Sequence, residues 1–75
     1  MNELLSYISI DPDIRSGKPC IKGTRITVGD ILQWLASDMS VAEILDDFPS
    51  LKEDHIRAAL VFAANREAHI KIVAA

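Results

Sequence analysis

Residues 27–49 read TVGDILQWLASDMSVAEILDDFP, and this stretch decides the fold because it holds two helix starts and two helix stops. Thr27 and Asp30 have capping-box spacing: the hydroxyl suits the N–H of residue 30, and the carboxylate reaches back to the N–H of residue 27. Ile26 and Ile31 stand where a hydrophobic staple belongs. Val28, Ile31, Leu32 and Leu35 then repeat at helical spacing with Trp34 on the flank, and Ser37-Asp38-Met39 ends a helix of about three turns. Ser40 with Glu43 repeats the box, and Met39 with Ile44 repeats the staple. Val41, Ile44, Leu45 and Phe48 supply the second apolar stripe, and Pro49 stops this helix after about two turns.

Beyond Pro49 the chain predicts a third helix, starting between Ser50 and Glu53 and running to roughly Ala68. Ser50 can cap it with Glu53 as partner; the preferred reading puts Lys52, a poor capping residue, at the N-cap with Leu51 and Ile56 as staple. Alanines at 58, 59, 63, 64 and 68 give it high intrinsic propensity. At about 100° per residue, Leu60, Ala63 and Ala59 fall within about 60° of Ile56, which predicts one core-facing stripe. Val61 and Phe62 fall about 120–140° away, so they are expected at an oligomer or partner interface unless the N-terminal arm folds over them. The basic and polar candidates on this helix are His55, Arg57, Asn65 and Arg66. The tail His69-Ile70-Lys71-Ile72-Val73 alternates like a strand, whose partner would be Tyr7–Ile10 or an edge of a second subunit.

Upstream of Thr27 the reading is extended. Tyr7-Ile8-Ser9-Ile10 alternates, with Ile8 and Ile10 on one face, and Asp11-Pro12-Asp13 is a turn. Gly17 to Ile26 holds two glycines and a proline, which suits short extended pieces around a Lys22-Gly23 turn with Gly23 at positive φ. The expected organisation is one mainly α domain. Residues 1–26 form an extended or β-hairpin arm, 27–68 a three-helix bundle, and 69–75 a short strand or tail.

Seventy-five residues make one marginally stable core, burying only about 60% of the unfolded surface. The single cysteine, Cys20, excludes an intramolecular disulfide, and His55 and His69 lack zinc-site spacing. A partner chain is the expected stabiliser, as a homodimer or higher oligomer. An unpaired cysteine suits a reducing cytosol, and Met1-Asn2-Glu3-Leu4-Leu5 lacks the features of a signal peptide. No apolar run approaches the roughly 20 residues of a transmembrane helix, so a cytoplasmic location without membrane contact is expected.

Net charge is −3 and unevenly placed, with seven acids and one base, Lys52, between Ile26 and Asp54. That balance opposes nucleic-acid binding through bulk electrostatics. Catalytic patterns are missing as well. Nothing orients Cys20 and a histidine into a nucleophile–base pair, and Gly17-Lys18 lacks the rest of a phosphate loop. Asp46, Asp47, Glu53 and Asp54 read as a solvated acidic face. The chain is expected to be no enzyme and to take no cofactor.

The short capped helix, turn and longer helix have the outline of a helix-turn-helix unit, though the turn Phe48-Pro49-Ser50-Leu51 lacks its frequent glycine. The string GKPCIKGTRITV, followed by residues 31–51 and then IRAAL, resembles the small bacterial domain-of-unknown-function family four-three-three, from about Ile8 to Ala64. Gly17, Pro19, Ile21, Gly23, Thr24, Arg25 and Ile26 match its arm motif. Met39, Ser40, Glu43, Ile44, Leu45, Pro49 and Leu51 match its middle helix and turn, and Ile56, Ala58, Ala59 and Leu60 its third helix. Lys52 and His55 depart from the pattern, which tends to have a threonine and a capping acid there.

The resemblance implies a homeodomain-like three-helix bundle, and a VapB-like antitoxin that neutralises a PIN-like ribonuclease toxin. It implies DNA binding for autoregulation, with Lys18, Lys22, Thr24 and Arg25 on the arm and Lys52, His55 and Arg57 toward the groove. Ile8, Ile10, Val61, Phe62, Arg66, Ile70 and Ile72 are the expected partner or dimer interface. The alternative is an interaction module without nucleic acid, or a subunit of a larger complex, and the net charge favours it.

Overall fold

A computed structural model of the chain describes residues 3–69. It is mainly helical: three helices, α1 (Val28–Ala36), α2 (Val41–Asp47) and α3 (Glu53–His69), follow a two-stranded antiparallel pair, β1 (Ile8–Ser9) and β2 (Cys20–Ile21). Two 310-helical turns, Glu3–Tyr7 and Arg15–Gly17, precede and interrupt that pair.

The helix starts fall where the sequence places them. Thr27 Oγ1 accepts from Asp30 N–H (2.8 Å) and Asp30 Oδ2 accepts from Thr27 N–H (3.1 Å). Ser40 and Glu43 form the same reciprocal pair at 3.1 and 2.8 Å. The end of α1 is a Schellman motif: Met39 N–H donates to the Trp34 carbonyl and Asp38 N–H to that of Leu35, both at 3.1 Å. Asp38 occupies the left-handed position, φ 73°, that glycine usually fills. At α3 Lys52 takes the N-cap position, its carbonyl accepting from His55 N–H at 2.9 Å. Its own N–H donates to His55 Nδ1 at 2.9 Å, so the imidazole replaces the expected capping acid.

After β2 the chain makes a tight hairpin, Cys20 and Ile21 against Thr27 and Ile26, which turns at Gly23, φ 82°, where Thr24 N–H donates to the Ile21 carbonyl at 3.0 Å. A positive φ at this third turn position is what glycine supplies without a steric cost. Ile21 N–H donates to the Ile26 carbonyl (2.8 Å) and an isolated bridge joins Cys20 to Thr27, so the turn delivers the chain straight into the α1 cap.

The core is aliphatic. Ile21, Ile31, Ile44 and Ile56 are fully buried, with Val28, Leu51 and Ala59, and each large side chain stabilises the fold by about 1.5–3 kcal/mol. Trp34 and Phe48 stack at its margin, ring centroids 4.2 Å apart and planes within 11°.

Three expectations need correction. Tyr7 is not in a strand: it closes the first 310 turn, β1 is Ile8–Ser9 alone, and Ile10 is 61% exposed because the Asp11-Pro12 turn removes it from the pair. The core stripe of α3 is rotated from the expected one. Leu60 is 46% exposed, Ala58 and Ala59 are buried, and Phe62 packs on the core. Periodicity fixes the spacing of a stripe, while the arm laid along α3 and the α1 packing fix its phase. Finally, α3 extends to His69, so the expected tail strand does not begin there; Ile70 and Ile72 lie outside the described residues.

Candidate functional site

The C-terminal half of α3, the start of α1 and the arm enclose an open groove of about 530 Å³. Its floor is apolar, with Pro19, Val28, Leu32, Phe62 and Ala63, and its rim carries Arg15, Lys18, Arg66 and Asp30. A second lobe of about 420 Å³ lies beyond it, lined by Leu5, Ile8, Ile10, Phe62, Asn65 and Arg66. Phe62 and Arg66 belong to both lobes, and the Arg66 guanidinium carbon lies 5.8 Å from the Phe62 ring centroid, over its face.

Local chemistry builds this wall. Val28 N–H, one of the unpaired donors at the start of α1, donates to the Pro19 carbonyl at 2.9 Å and holds Pro19 over the helix. Arg15 sits in a left-handed run, Arg15 φ 50°, Ser16 φ 59° and Gly17 φ 82°. Its Nη1 donates to Asp30 Oδ2 (3.1 Å) and to the Arg25 carbonyl (2.9 Å). Partial burial works against the charge on Asp30. The Thr27 N–H and the Arg15 guanidinium outweigh it and hold the carboxyl below its usual range. At the second box, the Ser40 N–H and hydroxyl lower Glu43 in the same sense.

The two lobes gather residues expected in different roles. Lys18, an expected DNA contact, shares the first lobe with Phe62 and Arg66, expected at an interface, and Ile8 and Ile10 join the latter two in the second lobe. Val61 is half-buried and lines neither lobe. Lys22 and Arg25 are exposed on the hairpin, while the Thr24 hydroxyl is used internally, donating to the Ile21 carbonyl at 2.8 Å. Lys52, His55 and Arg57 lie toward the opposite end of α3, about 14–21 Å along the axis from Arg66. There His55 packs edge-on against Tyr7, centroids 4.9 Å apart, and Arg57 lies 3.9 Å from Asp54.

Sequence reasoning missed Arg15, Pro19 and Leu32 as parts of the wall. Leu32 is read from sequence as part of the apolar stripe of the first helix and Pro19 as part of an extended segment, but Arg15 meets its partners only through the folded hairpin. Among the described residues no three His, Cys, Asp or Glu side chains are grouped to hold a metal ion, and no helix is long and apolar enough to cross a membrane.

The described residues thus form a three-helix domain with a hairpin arm and an open, basic-rimmed groove. The chain belongs to the family described as "Protein of unknown function (DUF433)", which matches residues 8–63. It is 38% identical over 56 residues to uncharacterized protein y4eO of Sinorhizobium fredii; the match covers 75% of this chain and a quarter of that protein. The crystal structure of a DUF433 member protein from Anabaena variabilis superposes with a TM-score of 0.78 at 25% identity. That match spans 85% of this chain and 63% of the other.

Proposed function

We propose that this chain is a binding protein of the antitoxin kind, acting in the cytoplasm by contact with a PIN-like ribonuclease toxin and not by catalysis. The observation that carries this reading is on α2. Glu43, Asp46 and Asp47, at i, i+3 and i+4, share one helix face and are all exposed, with exposed Glu53 and Asp54 following at the start of α3. A nuclease cleft that binds the RNA backbone is cationic, so a folded face of carboxylates complements it and competes with substrate. The test is co-expression with a PIN-like ribonuclease recovered with this chain from its native cell, followed by an RNA-cleavage assay on the purified pair. Suppressed cleavage that returns with Asp46→Lys and Asp47→Lys supports the reading. Full suppression by that variant, or a toxin held only by the basic arm, overturns it.

A second reading adds DNA. Lys18, Lys22 and Arg25 are exposed on the arm, and none is ion-paired among the described residues. The α2–turn–α3 succession is then read as a homeodomain-like helix-turn-helix that binds its operator as a dimer. Glu53 and Asp54 at the start of the reading helix oppose this, since both would approach phosphates. Anisotropy with operator DNA against salt decides it: each lost phosphate contact lowers the logarithmic slope by about 0.9.

A further inference from the structure

The chain carries eight Lys and Arg against eleven Asp and Glu, yet the first lobe of the groove holds three of those bases and one of those acids. The second lobe adds no acid. The single acid, Asp30, is already engaged by Thr27 N–H and Arg15. Lys18 is exposed with no ion pair among the described residues, and Arg66 is held over the Phe62 ring. Positive charge is therefore concentrated around one apolar trough on a protein that is otherwise strongly acidic.

We propose that this trough binds an extended segment of a partner protein that alternates bulky apolar side chains with carboxylates. The proposal rests on the partner-binding reading above and supplies a second contact that the acidic face of α2 does not make. Shape and charge both select this occupant. The two lobes meet at Phe62 and Arg66 and are open along their length, which suits a chain lying across them; a small molecule is normally enclosed over most of its surface. Apolar side chains would seat on Val28, Leu32 and Phe62 in one lobe and on Leu5, Ile8 and Ile10 in the other. Between them, Lys18 and Arg66 face the carboxylates from the rim, and Arg66 can fork to a carboxylate while its plane stays on the Phe62 ring. A basic segment would meet the same cations with repulsion, so the groove discriminates by charge as well as by fit.

The experiment is a titration of the isotope-labelled full chain, followed through its backbone amides, with the capped heptapeptide Gly-Glu-Leu-Glu-Phe-Glu-Gly. Two controls replace every Glu by Lys, or both apolar residues by Ser. Shifts are expected at Lys18, Leu32, Phe62 and Arg66 with the first peptide alone. Combining Lys18→Glu with Arg66→Glu is expected to weaken binding by at least about tenfold. Gln33→Glu, which adds one negative charge on the exposed face of α1 against the four-unit change of the double variant, leaves binding unaltered. Both altered bases are exposed, so their loss leaves the core intact. Equal binding of the lysine peptide, shifts centred elsewhere, or no shifts overturn the proposal. Groove shifts that grow with protein concentration alone also overturn it and make a second copy the occupant. Peptide binding without any nuclease inhibition would remove the antitoxin reading and keep the groove; inhibition that survives both substitutions, without peptide binding, would do the reverse.

Discussion

Arg15 and Asp30 meet through one 3.1 Å contact between Nη1 and Oδ2, and the same Nη1 holds the Arg25 carbonyl at 2.9 Å. One guanidinium thus ties the left-handed turn of the arm to the far leg of the hairpin and to the first turn of α1. Arg15→Ala is expected to cost about 1 kcal/mol, from a partly exposed ion pair and one lost hydrogen bond. Urea unfolding checks this, and Arg15→Lys should restore only part because the lysine nitrogen lies one bond closer to the backbone than Nη1 and falls short of both acceptors.

The depressed carboxyl groups set an acid limb. Asp30 and Glu43 are both lowered in the folded chain, so their stabilisation is complete above their unfolded values near 4 and is lost as pH falls through the lower folded values. Stability measured between pH 6 and pH 2 should decline mainly below about pH 4. Asp30→Asn and Glu43→Gln together should lower stability at neutral pH and flatten that decline; an unchanged limb would reject these groups as its source.

The two capping boxes share geometry but differ in burial. Thr27 is 3% exposed, whereas Ser40 is exposed. Thr27→Ala is expected to cost about 1–2 kcal/mol and Ser40→Ala about 0.5–1 kcal/mol. Equal losses in chemical denaturation would show that burial of the hydroxyl contributes nothing.

Asp38 adopts φ 73° at the end of α1, where its carboxylate also meets the negative end of the helix dipole. Asp38→Gly removes both penalties and should stabilise the chain by about 1 kcal/mol. Calorimetry should then record a rise in Tm of about 4–8 °C for a domain of this size.

At the start of α3, Lys52 offers no side-chain acceptor, and His55 Nδ1 satisfies only the Lys52 N–H. Lys52→Thr supplies the missing acceptor and should add about 0.5–1 kcal/mol. The variant also separates the functional readings. DNA affinity that falls with Lys52→Thr places this end of α3 on a phosphate, while unchanged affinity confines contact to the arm.

The three helices were legible because their start and stop signals are local. A threonine three residues before an aspartate, or a proline after a phenylalanine, acts within one turn of chain. Arg15 carries no such signal: its role depends on a hairpin that brings residues 15, 25 and 30 together. The phase of α3 was equally hidden. Ile56 suggested a stripe including Leu60, but the 310 turn at Glu3–Tyr7 lies against α3, and its packing leaves Leu60 outside. The groove was hidden with it, since Phe62 becomes part of its floor only once that phase is set. Its charge was legible as composition but not as place, because Lys18 and Arg66 are neighbours only in the folded chain.

Cys20 is 1% exposed, and its Sγ lies 3.3 Å from the Lys18 carbonyl beneath β2. It is the chain's one thiol, and it sits in the strand that joins the arm to α1. A thiol-reactive dye can therefore reach the sulfur only when this strand lifts from the core, and the labelling rate counts those openings. Whatever seats in the adjoining groove bears on that clock, so occupancy can be timed at a sulfur atom the ligand need never touch.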